Sequence, residues 1–328
     1  MGKLIANGTI DLTQFWPLNT KEEGSDGDTV KVVLETENFE YTNENGVTIN
    51  SNVLFNAGVF DKNGKFKKHI KEKVVKVRLQ GIDAPELHFE NYCQNMGKTA
   101  AYELQKHLDQ MTTKTENLIN CQLYTENVYE PNDVFDRYGR FVGDIIFWNN
   151  KGIRININLW MIENSLAFPT YYDKMLKSEI DAINSKLKKE KINIWEFYSE
   201  EIAPIDKSLR FVIGSQYDAQ KDKQKPVLFP KIFRRLVTYD KELNGSTFSI
   251  SGFRQFLMKN QEDFFFRLED YFDYLNQKLE YSSLINKKIF IYNLFDDSGK
   301  MLFEPNEIVF NESSTVLKDN NGNPILKF

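Results

Sequence analysis

Between residues 74 and 86 the sequence reads VVKVRLQGIDAPE, bringing a guanidinium, Arg78, and two carboxylates, Asp83 and Glu86, close together along the chain. The Ala84 carbonyl lies between those carboxylates. Pro85 fixes its own φ and pushes Ala84 out of the α region, so that carbonyl is aimed in a set direction. Hard oxygen groups suit Ca²⁺ or Mg²⁺, and a planar fork of N–H donors suits a phosphate. An isolated D-x-P-E is also a common solvated turn, so the chemistry depends on what accompanies it.

Three segments must position these groups. Alternation and β-branching at Val74, Val75 and Val77 predict a strand, and Gly81 marks where it bends away. Arg78 shares a face with Lys76 and Gln80, which predicts a wet, cationic face. Upstream, Asp26, Gly27 and Asp28 place two carboxylates at the entrance of a second strand, residues 30–34, with Gly27 allowing a tight backbone. Downstream, DRYGRFVGDIIFW turns at Tyr138 and Gly139. It sets Arg140, a second fixed guanidinium, at the mouth of a strand over residues 141–147.

Composition frames what these segments can belong to. A chain of 328 residues with 41% hydrophobic and 14% aromatic content can bury a substantial core, and its length suggests about two domains. No apolar run is long enough to span a membrane. The N-terminus, MGKLIANGTIDL, lacks the pattern of a secretory leader, so the chain is read as cytoplasmic, although a trimmed secreted form would look the same. Cys93 and Cys121 form no CxxC pair and no zinc pattern, and read as ordinary thiols of a reducing compartment. His69, His88 and His107 are scattered, which argues against a histidine triad or metal cage, and His88 reads as solvated. A net charge of -5 argues against indiscriminate binding of nucleic acid by the whole surface, so a polyanion site must be locally positive.

In chain order, residues 8–17 read as a short strand and turn anchored by Phe15 and Trp16. Residues 36–73 read as an insertion with hairpin turns at NENG and DKNGK and a short strand within 52–59. Its lysine-rich far end is either a protected edge or a nucleic-acid contact. Gly97, Ala101, Leu104 and Leu108 predict one amphipathic helix, Ile155, Leu159, Ile162 and Leu166 a second, and Leu176, Ile180, Ile183 and Leu187 a third. Residues 118–124 read as a strand, followed by a loop through Pro131 and Asn132. Tyr171 and Tyr172 read as aromatic platforms beside a helix end.

Taken together, DGDT at 26–29, VRLQGIDAPE at 77–86, DRYGR at 136–140 and KKEKINIW at 188–195 resemble the staphylococcal nuclease family, over roughly residues 24–196. The resemblance implies an α+β fold, a five-stranded OB-type barrel with three packed helices, within a domain over 1–198. It also implies Ca²⁺-dependent hydrolysis of DNA or RNA leaving a 3′-phosphate, with Mg²⁺ as the alternative ion. By the same resemblance Asp28, Asp83 and the Ala84 carbonyl would be metal ligands, and Arg78 and Arg140 would clamp the phosphate. Glu86 would activate the attacking water. Arg137, Tyr138 and Tyr171 would contact substrate, Tyr171 by base stacking. The long insertion and the C-terminal extension depart from the family's smallest members.

Residues 199–328 carry no nameable motif and read as an α+β domain of unknown role. The stretch 207–235 mixes basic residues with Phe211, Tyr217, Phe229 and Phe233, which suits either single-stranded nucleic acid or an ordinary packed surface. Residues 253–279 predict one long helix, with strands at 289–294 and 307–310, and DNNGNP near the end predicts a turn. This region is assigned to substrate placement, docking of a protein partner or stability. Two functional classes therefore stand: an active metal-dependent nuclease, and a catalytically silent barrel that binds nucleic acid or protein. An eroded site would mark the second, yet all five charged side chains are present.

Overall fold

Strict alternation builds the first layer. The computed structural model describes residues 2–15, 27–52, 55, 57–60, 65–111, 117–128, 134–136, 138–188, 190, 192–212, 215, 217–218, 226–260 and 262–312. Strand β1 (Gly2–Asp11) buries Leu4, Ala6, Gly8 and Ile10 and turns the alternate residues outward. It therefore begins earlier than the strand expected at residues 8–17. Strand β2 (Thr29–Leu34) buries Val30, Val32 and Leu34 by the same rule.

The insertion follows as β3 (Phe39–Thr42), β4 (Thr48–Ser51), β5 (Gly58–Phe60) and β6 (Phe66–Lys68). β3 extends the sheet by pairing with β1 and β4, while β5 and β6 form a separate hairpin. The NENG turn joins β3 to β4, with Gly46 at φ 77°. Then come β7 (Val74–Leu79), the two-residue β8 (Ile82–Asp83), β9 (Leu118–Val128) and β10 (Phe141–Trp148).

Pairing runs β1 to β2, β2 to β7, β7 to β10, β10 to β9, and β9 back to β1. The sheet thus closes on itself as a five-stranded OB-type barrel, and the β7–β10 pair is its parallel contact. Closure removes the free edges an open sheet would expose. β11 (Arg154–Asn156) extends β10.

Helices α1 (Gly97–Asp109), α2 (Ile157–Glu163) and α3 (Lys177–Lys186) pack on the barrel through Ala100, Leu104, Leu108, Met161, Ile162, Ile180 and Ile183. The second helix starts later than its predicted stripe, because Ile155 is taken into β11 and the Asn156 side chain caps α2 by accepting from the Leu159 N–H.

The last third packs directly on this assembly. β12 (Phe168–Pro169) pairs with β8, β13 (Tyr171–Tyr172) leads into α3, and the short α4 (Ile194–Phe197) comes after it. Beyond it lie α5 (Pro230–Leu243), α6 (Ile250–Asn260), β14 (Phe264–Arg267), α7 (Leu268–Leu275), α8 (Tyr281–Ile285), β15 (Ile289–Phe290) and β16 (Ile308–Phe310). β16 pairs parallel with β13 and antiparallel with β14, so one sheet crosses the division expected near residue 198.

The single helix expected over 253–279 is instead α6, β14 and α7. Three consecutive phenylalanines on a helix would point across more than half its circumference. In β14 they alternate between the two faces of a strand and are covered on both, with Phe265 and Phe266 fully buried. Arg137, Asp26, Trp16, Pro131, Asn132 and the DNNGNP turn lie outside the described residues.

Candidate active site

Alternation in the barrel wall carries four of the expected residues to one place. In β7, Val75, Val77 and Leu79 point into the barrel, so Lys76 and Arg78 point outward. Register sets Arg78 against Thr29 of β2 on one side and Val142 of β10 on the other. Asp28 immediately precedes β2, which places it at the end where β7 finishes, and Arg140 immediately precedes β10, whose first residue, Phe141, pairs with Val77. Gly81, at φ 77°, turns the chain there into β8, which holds Asp83 through its pairing with Phe168. Gly27 lets the Asp28 loop approach closely: a Cβ at that position would sit 2.7 Å from Ala84 Cβ.

The side chains meet in a buried network. Arg78 lies between Asp28 (Nη1 to Oδ2, 3.1 Å) and Asp83 (Nη2 to Oδ1, 3.1 Å), and Nη2 also donates to the Ile82 carbonyl at 3.2 Å. Asp28 Oδ2 accepts the Ala84 N–H at 3.2 Å, and its Oδ1 accepts the Thr29 hydroxyl at 3.1 Å. That hydroxyl in turn accepts from Arg140 Nη1 at 3.3 Å. Arg140 is two hydrogen bonds from Asp28, held mainly by Asp136 at 2.8–2.9 Å and 5.5 Å from the Tyr138 ring centroid.

The network is completed from a distant part of the chain. Arg234 of α5 grips Asp83 bidentately, Nη1 to Oδ1 at 3.1 Å and Nη2 to Oδ2 at 2.7 Å, and Nη1 also pairs with Glu86 Oε1. Gln94 ties the same two regions together, accepting the Glu86 N–H at 3.1 Å while its amide donates to the Leu228 carbonyl just ahead of α5. Under this cover the Asp83 side chain has no exposure and Arg78 retains 9%. The wet face expected at Arg78 is therefore corrected. Lys76 is exposed, but Arg78 lies beneath the C-terminal region.

Electrostatics follow from burial and pairing. Burial opposes the charged form of Asp83, but the Arg234 and Arg78 guanidiniums outweigh it and hold the carboxyl well below its usual range. Burial likewise opposes the charge on Arg78, and Asp28 and Asp83 outweigh it, raising its pKa further. Lys231, one turn before Arg234, lies between the rings of Tyr172 and Phe310 with its Nζ at 4.9 and 4.1 Å from their centroids. Desolvation, reinforced by Arg235, drives its pKa well below the lysine range.

Asp28, Arg78, Asp83, Ala84, Glu86 and Arg140 are thus brought together, with Tyr138 at the margin beside Arg140. Tyr171 is not. It is fully buried in the barrel core, and its hydroxyl donates to Asn184 at 2.8 Å, so it offers no face for stacking. Tyr172 alternates to the other side of β13. Burial pushes its phenol up to about 12, and Arg78, Asp83, Arg234 and Arg140 all act on it. His88 is half-buried against Phe211 rather than solvated, its ring centroid 5.2 Å away.

Reading by motif missed Arg234. A signal was present: Lys231, Arg234 and Arg235 fall at helical spacing among Ile232, Phe233, Leu236 and Val237, so a helix buried there must bury cations too.

The barrel, its three helices and this cluster define a nuclease-type fold. Residues 76–197 match the staphylococcal nuclease homologue family. The match leaves β1, β2 and Asp28 on one side, and α5 with Arg234 on the other. No curated protein matches the chain.

Proposed function

We propose that the chain is a metal-dependent phosphodiesterase acting on DNA or RNA. The supporting observation is the convergence of Asp28, Arg78 and Asp83 from separate segments, with Arg140 two hydrogen bonds away and Glu86 joined through Arg234. In-line attack on a phosphodiester builds charge on the equatorial oxygens. Two guanidiniums fixed beforehand stabilise that charge more than they stabilise the ground state. Arg78 is locked by two carboxylates and Arg140 by Asp136, so neither reorganises far. Glu86, next to Asp83 and joined to Arg234, would accept the proton of the attacking water.

The donor set fits a hard divalent ion. Asp28 and Asp83 lie together with almost no solvent to screen them, and their oxygens, with the Ala84 carbonyl, would hold Ca²⁺ or Mg²⁺. Among the described residues no cluster of three or more His, Cys, Asp or Glu forms a fuller cage. Such an ion supplies charge neutralisation at the phosphate.

The test is digestion of plasmid, single-stranded DNA and RNA with Ca²⁺, Mg²⁺ or EDTA, beside Glu86→Gln. Hydrolysis that needs a divalent ion and falls in Glu86→Gln supports the proposal; absence of hydrolysis with every ion and substrate removes it. The second reading, a silent module that binds nucleic acid or protein, draws on one observation: Asp83 is closed off from solvent by Arg234. Binding without hydrolysis in the same assay would favour it.

A further inference from the structure

The Arg234 guanidinium occupies an unusual place for a residue outside the matched domain. It spans Asp83 and Glu86, the carboxylates read above as metal ligand and proton acceptor. Asp83 has no free oxygen as a result. Oδ1 accepts from both Arg78 and Arg234, and Oδ2 accepts from Arg234. Two bidentate N–H bonds to a carboxylate with zero exposure are strong and geometrically specific.

A divalent ion ligated by Asp83 must approach the same two oxygens, where three of about four acceptor sites are already taken. It cannot share them with a guanidinium already in contact without bringing two cations together at close range, in a region with little water to screen them.

From this geometry we infer that Arg234 is a resident cation of the site, so that its contact with Asp83 and binding of a divalent ion at Asp83 exclude one another. The inference rests on Asp83 as a cation ligand and does not require that the protein hydrolyse anything. Arg234 holds the carboxylates in place when no ion is bound, and α5 must withdraw its side chain before one is admitted. The anchor for that movement is local. Arg235 stays with Asp263 inside the C-terminal region, so the Arg234 side chain is the part that must leave.

The experiment is calorimetric titration of CaCl₂ into the metal-free full-length protein, into Arg234→Gln and into Arg234→Lys, with thermal melts in CaCl₂ and in EDTA. The expected result is weak or undetectable binding to the wild type and binding to Arg234→Gln tighter by about 5- to 150-fold, the range of an ordinary coupling between two sites. The Arg234→Gln melting temperature should rise with CaCl₂ more than that of the wild type. Arg234→Lys keeps a charge and loses the fork, so it should lie between the two. If Arg234→Gln does not fold, Arg234→Lys decides alone. Affinity in the folded variants equal to or weaker than wild type overturns the inference. Tighter Ca²⁺ binding in a variant that digests nothing would leave it standing while removing the nuclease proposal.

Discussion

Arg234 and Arg235 are neighbours on α5 and both end on a buried aspartate, yet they belong to different kinds of structure. Arg235 meets Asp263 at 2.5 Å with 2% and 1% of the side chains exposed, and its other Nη donates to the Lys231 carbonyl one turn back at 2.7 Å. One cation meets one anion within the same region, with Arg235 Nε and Asp263 Oδ1 left without a hydrogen-bond partner. Arg234 leaves its own region to meet Asp83, which Arg78 also holds, and Glu86. A simple buried pair stabilises only while both members are present, because a lone buried charge is costly. Asp83 is instead shared by two guanidiniums from distant parts of the chain, so either one can be exchanged without leaving it unpaired.

The comparison is easiest to break at its structural end. Arg235→Met alone should lower stability by about 3–5 kcal/mol in urea unfolding, and adding Asp263→Leu should restore most of it. A double variant no better than the single one would mean that shape, not charge, sets the cost.

At the other end, Arg140→Ala should lower turnover roughly 10²- to 10³-fold, by analogy with loss of one oxyanion donor. Its side chain is about a quarter exposed, so melting should change little. Arg78→Ala should lower both turnover and stability, since it takes a guanidinium from Asp28 and leaves Asp83 to Arg234 alone. Wild-type turnover in Arg140→Ala would remove that residue from the mechanism.

Gly81→Ala tests the bend that delivers Asp83. Its Cβ would lie 2.3 Å from Ile183 Cδ1 at a φ of 77°, and overpacking of this kind costs about 1–3 kcal/mol. An unfolding midpoint like that of the wild type would show that α3 can shift to make room.

Two carboxylates should answer pH in opposite directions. Burial lifts Glu179, which caps α3, from 4.5 to about 7, so the folded protein holds that proton more tightly than the unfolded chain. Its contribution is complete below pH 4.5 and is lost as pH rises through about 7; Glu179→Gln should flatten stability over that window. Asp83 is shifted downward by Arg234 and Arg78 against its burial, so its contribution is present above 3.8 and lost as pH falls. Denaturation curves across pH for the wild type and Glu179→Gln check both signs. The smallest effect belongs to the exposed Lys177–Asp181 pair, where Lys177→Ala should change stability by less than about 0.5 kcal/mol.

Much of the barrel was legible from local pattern. Val75, Val77, Val30 and Val32 alternate with polar residues, and a period of two leaves little choice of face when one side is buried. The three helices were legible for the matching reason at period 3.6. Legibility failed where local pattern and packing disagreed. Phe264, Phe265 and Phe266 fit a wide helical stripe as well as a strand, and only their partners in β15 and β16 separate the two. Tyr171 and Tyr172 are the same letter, and the pleat alone decides which one enters the core.

By itself the sequence determined the types and local order of the charged groups: Asp28 ahead of one strand, Arg78 near the end of another, Asp83 and Glu86 beyond a glycine bend, Arg140 after a tight turn. Those depend on short-range backbone preferences, which act over a few residues. Tertiary structure alone decided that Arg234 joins them from some 150 positions away, and that the cluster is buried rather than wet. Contact across that separation is set by how α5 docks on the barrel, and no local rule encodes the docking of one buried surface on another.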